Sequence, residues 1–97
     1  MFELEWTHEA ESAFGKLKSN ASLTRQYKAA RKTLEVLANN PRHPSLQTHE
    51  YVSLQGPNEE KIFEAYAQQN APAAYRVFWY YGTSKGCITI LAITSHP

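Results

Sequence analysis

Aspartate is missing from this chain, and all nine acidic side chains are glutamates. A Ser-His-Asp constellation is therefore excluded unless a glutamate takes the third place. Cysteine occurs once, as Cys87, which leaves no internal disulfide. Its position in an apolar strand pattern predicts a buried, inert thiol. Glycine occurs only four times, and no glycine-rich loop of the phosphate-cradling kind is present. No apolar run approaches the roughly 18 to 20 residues that a membrane span needs, because threonines interrupt the longest one near the C-terminus. The N-terminus lacks the basic start, apolar stretch and small-residue cleavage site of a leader, so a cytoplasmic location without membrane contact is expected. Repeats, linkers and low-complexity segments are also lacking. At 97 residues the chain can build one hydrophobic core, so a single domain over 1–97 is expected.

What is present is unevenly spread. The net charge is only +1, yet residues 1–11 carry four glutamates, and residues 16–42 carry seven basic side chains against Glu35 alone. Such a basic block suits nucleic-acid phosphates or an acidic protein partner, and a solvated helix face is the plain alternative. Phe2, Leu4 and Trp6 alternate with Glu3 and Glu5, the pattern of a strand with one buried face. Thr7 is placed to cap a first helix, with Glu9 and Glu11 in its first turn and Ala10, Ala13, Phe14 and Leu17 on one side. Ser22 is the candidate cap of a second helix, where Leu23, Tyr27, Ala30, Leu34 and Leu37 form an apolar stripe. Arg25, Lys28 and Lys32 lie on another face of that helix, which Asn39-Asn40-Pro41 ends.

Four β-rich runs follow, near 49–54, 60–68, 74–81 and 86–95, separated by Gln55-Gly56-Pro57-Asn58, Asn70-Ala71-Pro72 and Gly82-Thr83-Ser84-Lys85-Gly86. Helices grouped early and strands grouped late predict an α+β fold of order β-α-α-β-β-β-β, with a helical hairpin packed on an antiparallel sheet.

This order, and the strings "LANNPRHPSLQTHE", "LQG", "AYRVFWYYG" and "ITILAITSHP", resemble the RelE/ParE superfamily of bacterial toxins over the whole chain. The strand that opens on Tyr75-Arg76 and the last strand ending at His96 are the more specific features. The resemblance implies the toxin of a type II toxin–antitoxin pair, neutralised by a cognate antitoxin. Many members cleave mRNA on the ribosome, while others bind DNA gyrase without catalysis, so both an endoribonuclease and a non-catalytic binder stay open. The lysine-rich strand of the ribosome-dependent members reads Lys61-Ile62-Phe63-Glu64-Ala65-Tyr66 here, and the histidine-dependent, YafQ-like arrangement fits better.

Metal-independent RNA cleavage needs a base for the 2′-hydroxyl, a cation for the phosphate and an acid for the leaving oxygen. Arg76 is the candidate cation, since guanidinium matches two phosphate oxygens and sits where the family's strand arginine sits. A strand arginine on the solvent face, or one paired with Glu64 on a neighbouring strand, is the alternative. The resemblance makes His96 and His49 the acid–base candidates. Glu64 and Tyr66, two apart on one strand and hence on one face, are candidates for a carboxylate base and for a hydroxyl or stacking ring. Lys28, Arg31, Lys32, Arg42 and His43 are the candidate RNA contacts. His43, His49, His96 and Glu64 lack a helical i, i+4 ligand spacing, so neither a metal nor another cofactor is expected.

Overall fold

The computed structural model describes residues 1–67 and 74–95. Its elements are β1 (Glu3–Trp6), α1 (His8–Ser19), a 3₁₀ turn (Ala21–Leu23), α2 (Thr24–Asn39), a second 3₁₀ turn (Pro44–Leu46), β2 (His49–Gln55), β3 (Lys61–Tyr66), β4 (Tyr75–Tyr81) and β5 (Cys87–Ser95). The α+β order is the one the hydrophobic periods predict. Boundaries shift by a residue or two, and β3 stops at Tyr66 rather than 68. The expected turn Asn70-Ala71-Pro72 lies outside the described residues, as does His96. No helix among the described residues is long and apolar enough to cross a membrane.

The sheet runs β1-β5-β4-β3-β2 and is mixed, which corrects the expectation of an antiparallel sheet. β2 to β5 form an antiparallel meander, whereas β1 lies parallel to β5, with Leu4 opposite Ile88 and Trp6 opposite Ile90. Short turns force antiparallel neighbours only between consecutive strands. The first and last strands are joined by everything between them, so no turn sets their direction.

Ser22 does not cap α2. Asn20 instead accepts from the Ser22 amide at 3.0 Å, residues 21–23 close a 3₁₀ turn, and α2 begins at Thr24 without a side-chain cap. The apolar stripe nevertheless packs as its spacing demands. Ala30, Leu34 and Leu37 are buried, and Leu23 and Tyr27 pack against the same core. They meet Leu17 of α1 and Ala65, Val77, Trp79, Ile88, Ile90 and Ile93 of the sheet. Each such fully buried aliphatic side chain contributes about 1.5–3 kcal/mol. Cys87 is only half-buried, 3.2 Å from the Ser84 hydroxyl, because it starts β5 at the hairpin where Gly86 takes the left-handed φ of 86°.

A bulge in β5 shapes the middle of the sheet. Phe78 faces Ala92 and Trp79 faces Ile90, so Leu91 has no opposite residue. The extra residue puts Leu91 and Ala92 both on the side away from the helices, while Ile90 and Ile93 both enter the helix-side core. Thr7 ties this bulge to α1. Its hydroxyl donates to the Leu91 carbonyl at 2.7 Å and accepts from the Ala10 amide at 3.1 Å, while its own amide donates to Ile90 at 3.1 Å.

Thr7→Ala removes a helix cap and a bond to the bulge together, and is expected to lower the unfolding free energy by about 1–2 kcal/mol. The loss should appear as a lower urea midpoint at unchanged slope, with Thr7→Ser close to the native chain. An unmoved midpoint in Thr7→Ala would show that the hydroxyl holds neither element.

Candidate functional site

Alternation on β3 and β4 separates two faces. Ala65, Val77 and Trp79 point to the helices, so Ile62, Glu64, Arg76, Phe78 and Tyr80 point to the other side. On that open face Ile62, Phe78 and Tyr80 form a second, small core, with Tyr51, Leu91 and Ala92 packed against it. Tyr51 reaches it from β2 and meets Phe78 edge-on at 4.9 Å.

Beside this apolar floor lies a buried carboxylate. Glu64 is 2% exposed, opposite His49 on β2 and Phe78 on β4. One oxygen, Oε1, is 2.7 Å from His49 Nε2, and the other, Oε2, accepts from the Arg76 guanidinium at 2.5 Å. A carboxylate withdrawn from water is tolerated only when both oxygens are matched, and here each has one charged or polar partner. The Arg76 guanidinium also lies 5.0 Å over the Phe78 ring, a cation–π contact that holds its plane to the floor. Its Nε has no partner among the described residues. His49 is half-exposed. Its Nδ1 faces the Gln47 carbonyl at 3.2 Å, and its ring lies 5.6 Å from that of Tyr66. Both ring nitrogens therefore face acceptors, and both contacts are met by donation only when each carries a hydrogen.

Four of the residues singled out in the sequence, His49, Glu64, Tyr66 and Arg76, are thus brought together. Pairing of Arg76 with Glu64, the alternative reading of that arginine, is what the structure shows. The basic residues divide. Lys28 and Arg31 are exposed on α2, behind the sheet, and Arg31 lies 3.8 Å from Glu35 one turn on. Lys32 shares a cavity of about 270 Å³ with Tyr66 and Ala67 at the end of β3. Arg42 and His43 line another cavity, on the helix side of the sheet. For His96, the neighbouring described residue Ser95 pairs with Tyr75, one position before Arg76.

Sequence reasoning passed over Phe78, Tyr51 and Gln47. The first was legible, since Arg76, Phe78 and Tyr80 share a strand face by their spacing of two. Tyr51 and Gln47 carry no such signal, because β2 is irregular between Glu50 and Gln55 and Gln47 is held in a left-handed turn at φ 47°.

Two helices packed on one face of a five-stranded mixed sheet are a fold that this chain shares with solved RelE and ParE toxins. No protein-family model matches the chain, and no curated protein matches it by sequence. Among solved structures, the YoeB/ParE toxin from Agrobacterium tumefaciens superposes with a TM-score of 0.71 at 10% identity, covering 98% of this chain and 99% of that one. The archaeal RelE–RelB complex from Pyrococcus horikoshii OT3 gives 0.65 at 16% identity, covering 97% and 93%. The intact RelBE toxin–antitoxin complex of E. coli gives 0.63 at 10% identity, covering 100% and 99%.

Removing one partner of a buried ion pair strands the other. Glu64→Ala is expected to cost about 3–5 kcal/mol of stability, while His49→Ala, at the solvent end of the cluster, costs about 1 kcal/mol or less. Urea denaturation of both variants measures this, and equal small losses would show that the carboxylate is not shielded from water.

Proposed function

We infer that this chain is the toxin of a type II toxin–antitoxin pair, acting as a metal-independent mRNA endoribonuclease of the histidine-dependent, YafQ-like kind. The observation that carries this reading is the connected group His49–Glu64–Arg76 on the open face, in a fold shared with toxins. Attack of a ribose 2′-oxygen on the adjacent phosphorus forms one P–O bond and breaks the bond to the 5′-oxygen. A base takes the 2′-proton, and an acid returns one to the leaving oxygen.

Arg76 is the phosphate-stabilising cation, since its side chain is partly open to solvent and only one of its terminal nitrogens is taken by Glu64 among the described residues. His49, with both ring nitrogens set against acceptors, suits the acid. That leaves His96 as the candidate base. Tyr66, beside the His49 ring, offers a stacking surface for a base of the message. Glu64 takes a different part from the carboxylate base that its residue type suggests. It is buried behind its two partners, so it is a positioning residue that holds the imidazole and the guanidinium in place. Lys28, Arg31, Lys32, Arg42 and His43 supply phosphate contacts around the domain, and the same basic surface suits an acidic antitoxin segment that folds as it binds.

One observation favours the second reading, a non-catalytic binder of the gyrase-inhibiting or inactive kind. Glu64 already neutralises Arg76, and a bound phosphate has to share that guanidinium with it.

Induced expression in a bacterial host, with primer extension on a reporter message, separates the two. The nuclease reading expects growth arrest with new 5′ ends, which vanish in Arg76→Ala and fall about 10²- to 10⁴-fold in His49→Ala. Arrest that persists in both variants with intact messages would establish the binder instead.

A further inference from the structure

We propose that the cavity between the α2–β2 connection and the helix side of the sheet binds a nucleotide, its base against an aromatic wall and its phosphate on Arg42 and His43. The proposal rests on RNA being the ligand of this chain, and adds a base-binding site on the face opposite His49 and Arg76.

The cavity holds about 440 Å³, within the usual range for small-molecule sites. Three aromatic rings form one side. Phe63 and Trp79, opposite one another on β3 and β4, stack with centroids 4.9 Å apart at 29°. Tyr81 stands edge-on to Trp79 at 5.0 Å and to Phe63 at 5.9 Å, and is 41% exposed. Trp79 backs this wall from beneath, and the accessible rings are Tyr81 and the partly exposed Phe63, of the kind that stacks bases without choosing among them.

The charged and ring-nitrogen groups at the cavity suit an anion. No acidic residue lines the cavity. The Arg42 side chain is exposed, and its guanidinium has no ion pair among the described residues. His43 Nδ1 accepts from the Ser45 amide at 3.1 Å, which leaves Nε2–H as the donor of the neutral ring. Trp79, only 1% exposed, has an indole N–H with no partner among the described residues. Shut off from solvent, this N–H reports on the packing of the ring behind Phe63 and Tyr81 rather than contacting a ligand.

The cavity also lies next to the candidate site. Thr48 lines it, and the following residue, His49, contacts Glu64 on the other face. β2 is the last strand on this side of the sheet. An RNA chain crossing the His49–Arg76 face therefore reaches the cavity by rounding one strand edge.

The test follows the two indole N–H resonances, from Trp6 and Trp79, in ¹⁵N–¹H spectra during titration with 5′-AMP, adenosine and ribose 5-phosphate; Trp6→Phe assigns them. AMP is expected to move the Trp79 resonance saturably and leave that of Trp6 in place, with adenosine binding about tenfold more weakly because the charged contact is lost. Ribose 5-phosphate should leave Trp79 unmoved. Arg42→Ala, in an exposed loop, should bring AMP down to the affinity of adenosine, and Tyr81→Leu should weaken both. A Trp79 resonance that stays still at about 10 mM AMP, or an AMP affinity unchanged in both variants, overturns the proposal. Repeating the titration on Arg76→Ala keeps it apart from the nuclease reading. Binding there, with a wild type that cleaves no message, supports the nucleotide site while the nuclease fails; cleavage beside an unmoved Trp79 does the reverse.

Discussion

Period-two alternation along β3 and β4 is the constraint from which both the core and the site follow. Val77 and Trp79 must reach Leu34 and Leu37 of α2 to close the helix-side core. Arg76 and Phe78, their neighbours in the chain, must then point the other way. The same holds on β3, where Ala65 enters the core and Glu64 leaves it. A slip of one residue would place Glu64, in β3, or Arg76, in β4, under the helices, at a desolvation cost of several kcal/mol per ion. Packing energy on one face therefore fixes the register of the charged groups on the other.

Regular alternation already sets Ile62, Phe78 and Tyr80 on the open face, and the irregular strands enlarge that apolar patch. The bulge at Leu91 turns two consecutive apolar residues of β5 toward it, and Tyr51 closes over Phe78 from β2. Together they build an apolar floor that excludes water from Glu64. Exclusion of water strengthens the attraction between the carboxylate and its partners, above all Arg76, since His49 stands at the solvent end. A solvent-exposed Glu–Arg pair would hold the guanidinium loosely; the buried one, with Phe78 beneath it, presents the remaining nitrogens of Arg76 in a set direction. The electrostatic consequence runs both ways, since the group that orients Arg76 also spends part of its charge.

The cluster and the aromatic cavity lie back to back because neighbouring residues at the β2 edge serve different faces. Thr48 belongs to one and His49 to the other. The connection from α2 makes this possible. Two prolines and the left-handed Gln47 carry the chain round the end of the sheet without filling the space beside Phe63 and Trp79. The basic residues of α2 serve a separate surface behind the sheet, where charge repulsion and solvation keep them exposed.

Local periodicity determined much of this protein. The helices, the four late strands, the Thr7 cap and the pairing of Glu64 with Tyr66 on one face all depend on residues close in sequence, whose spacing is readable without a partner. Arg76 and His49 were readable as candidates by residue type and by resemblance, but not as partners of one carboxylate. Relations between distant segments were decided only in the tertiary structure: β1 lying parallel to β5, Asn20 rather than Ser22 organising the turn before α2, and the burial of Glu64 between His49 and Arg76. Each depends on which surfaces meet across the sheet, and the free energy of burying a group depends on neighbours that the linear order of residues does not name.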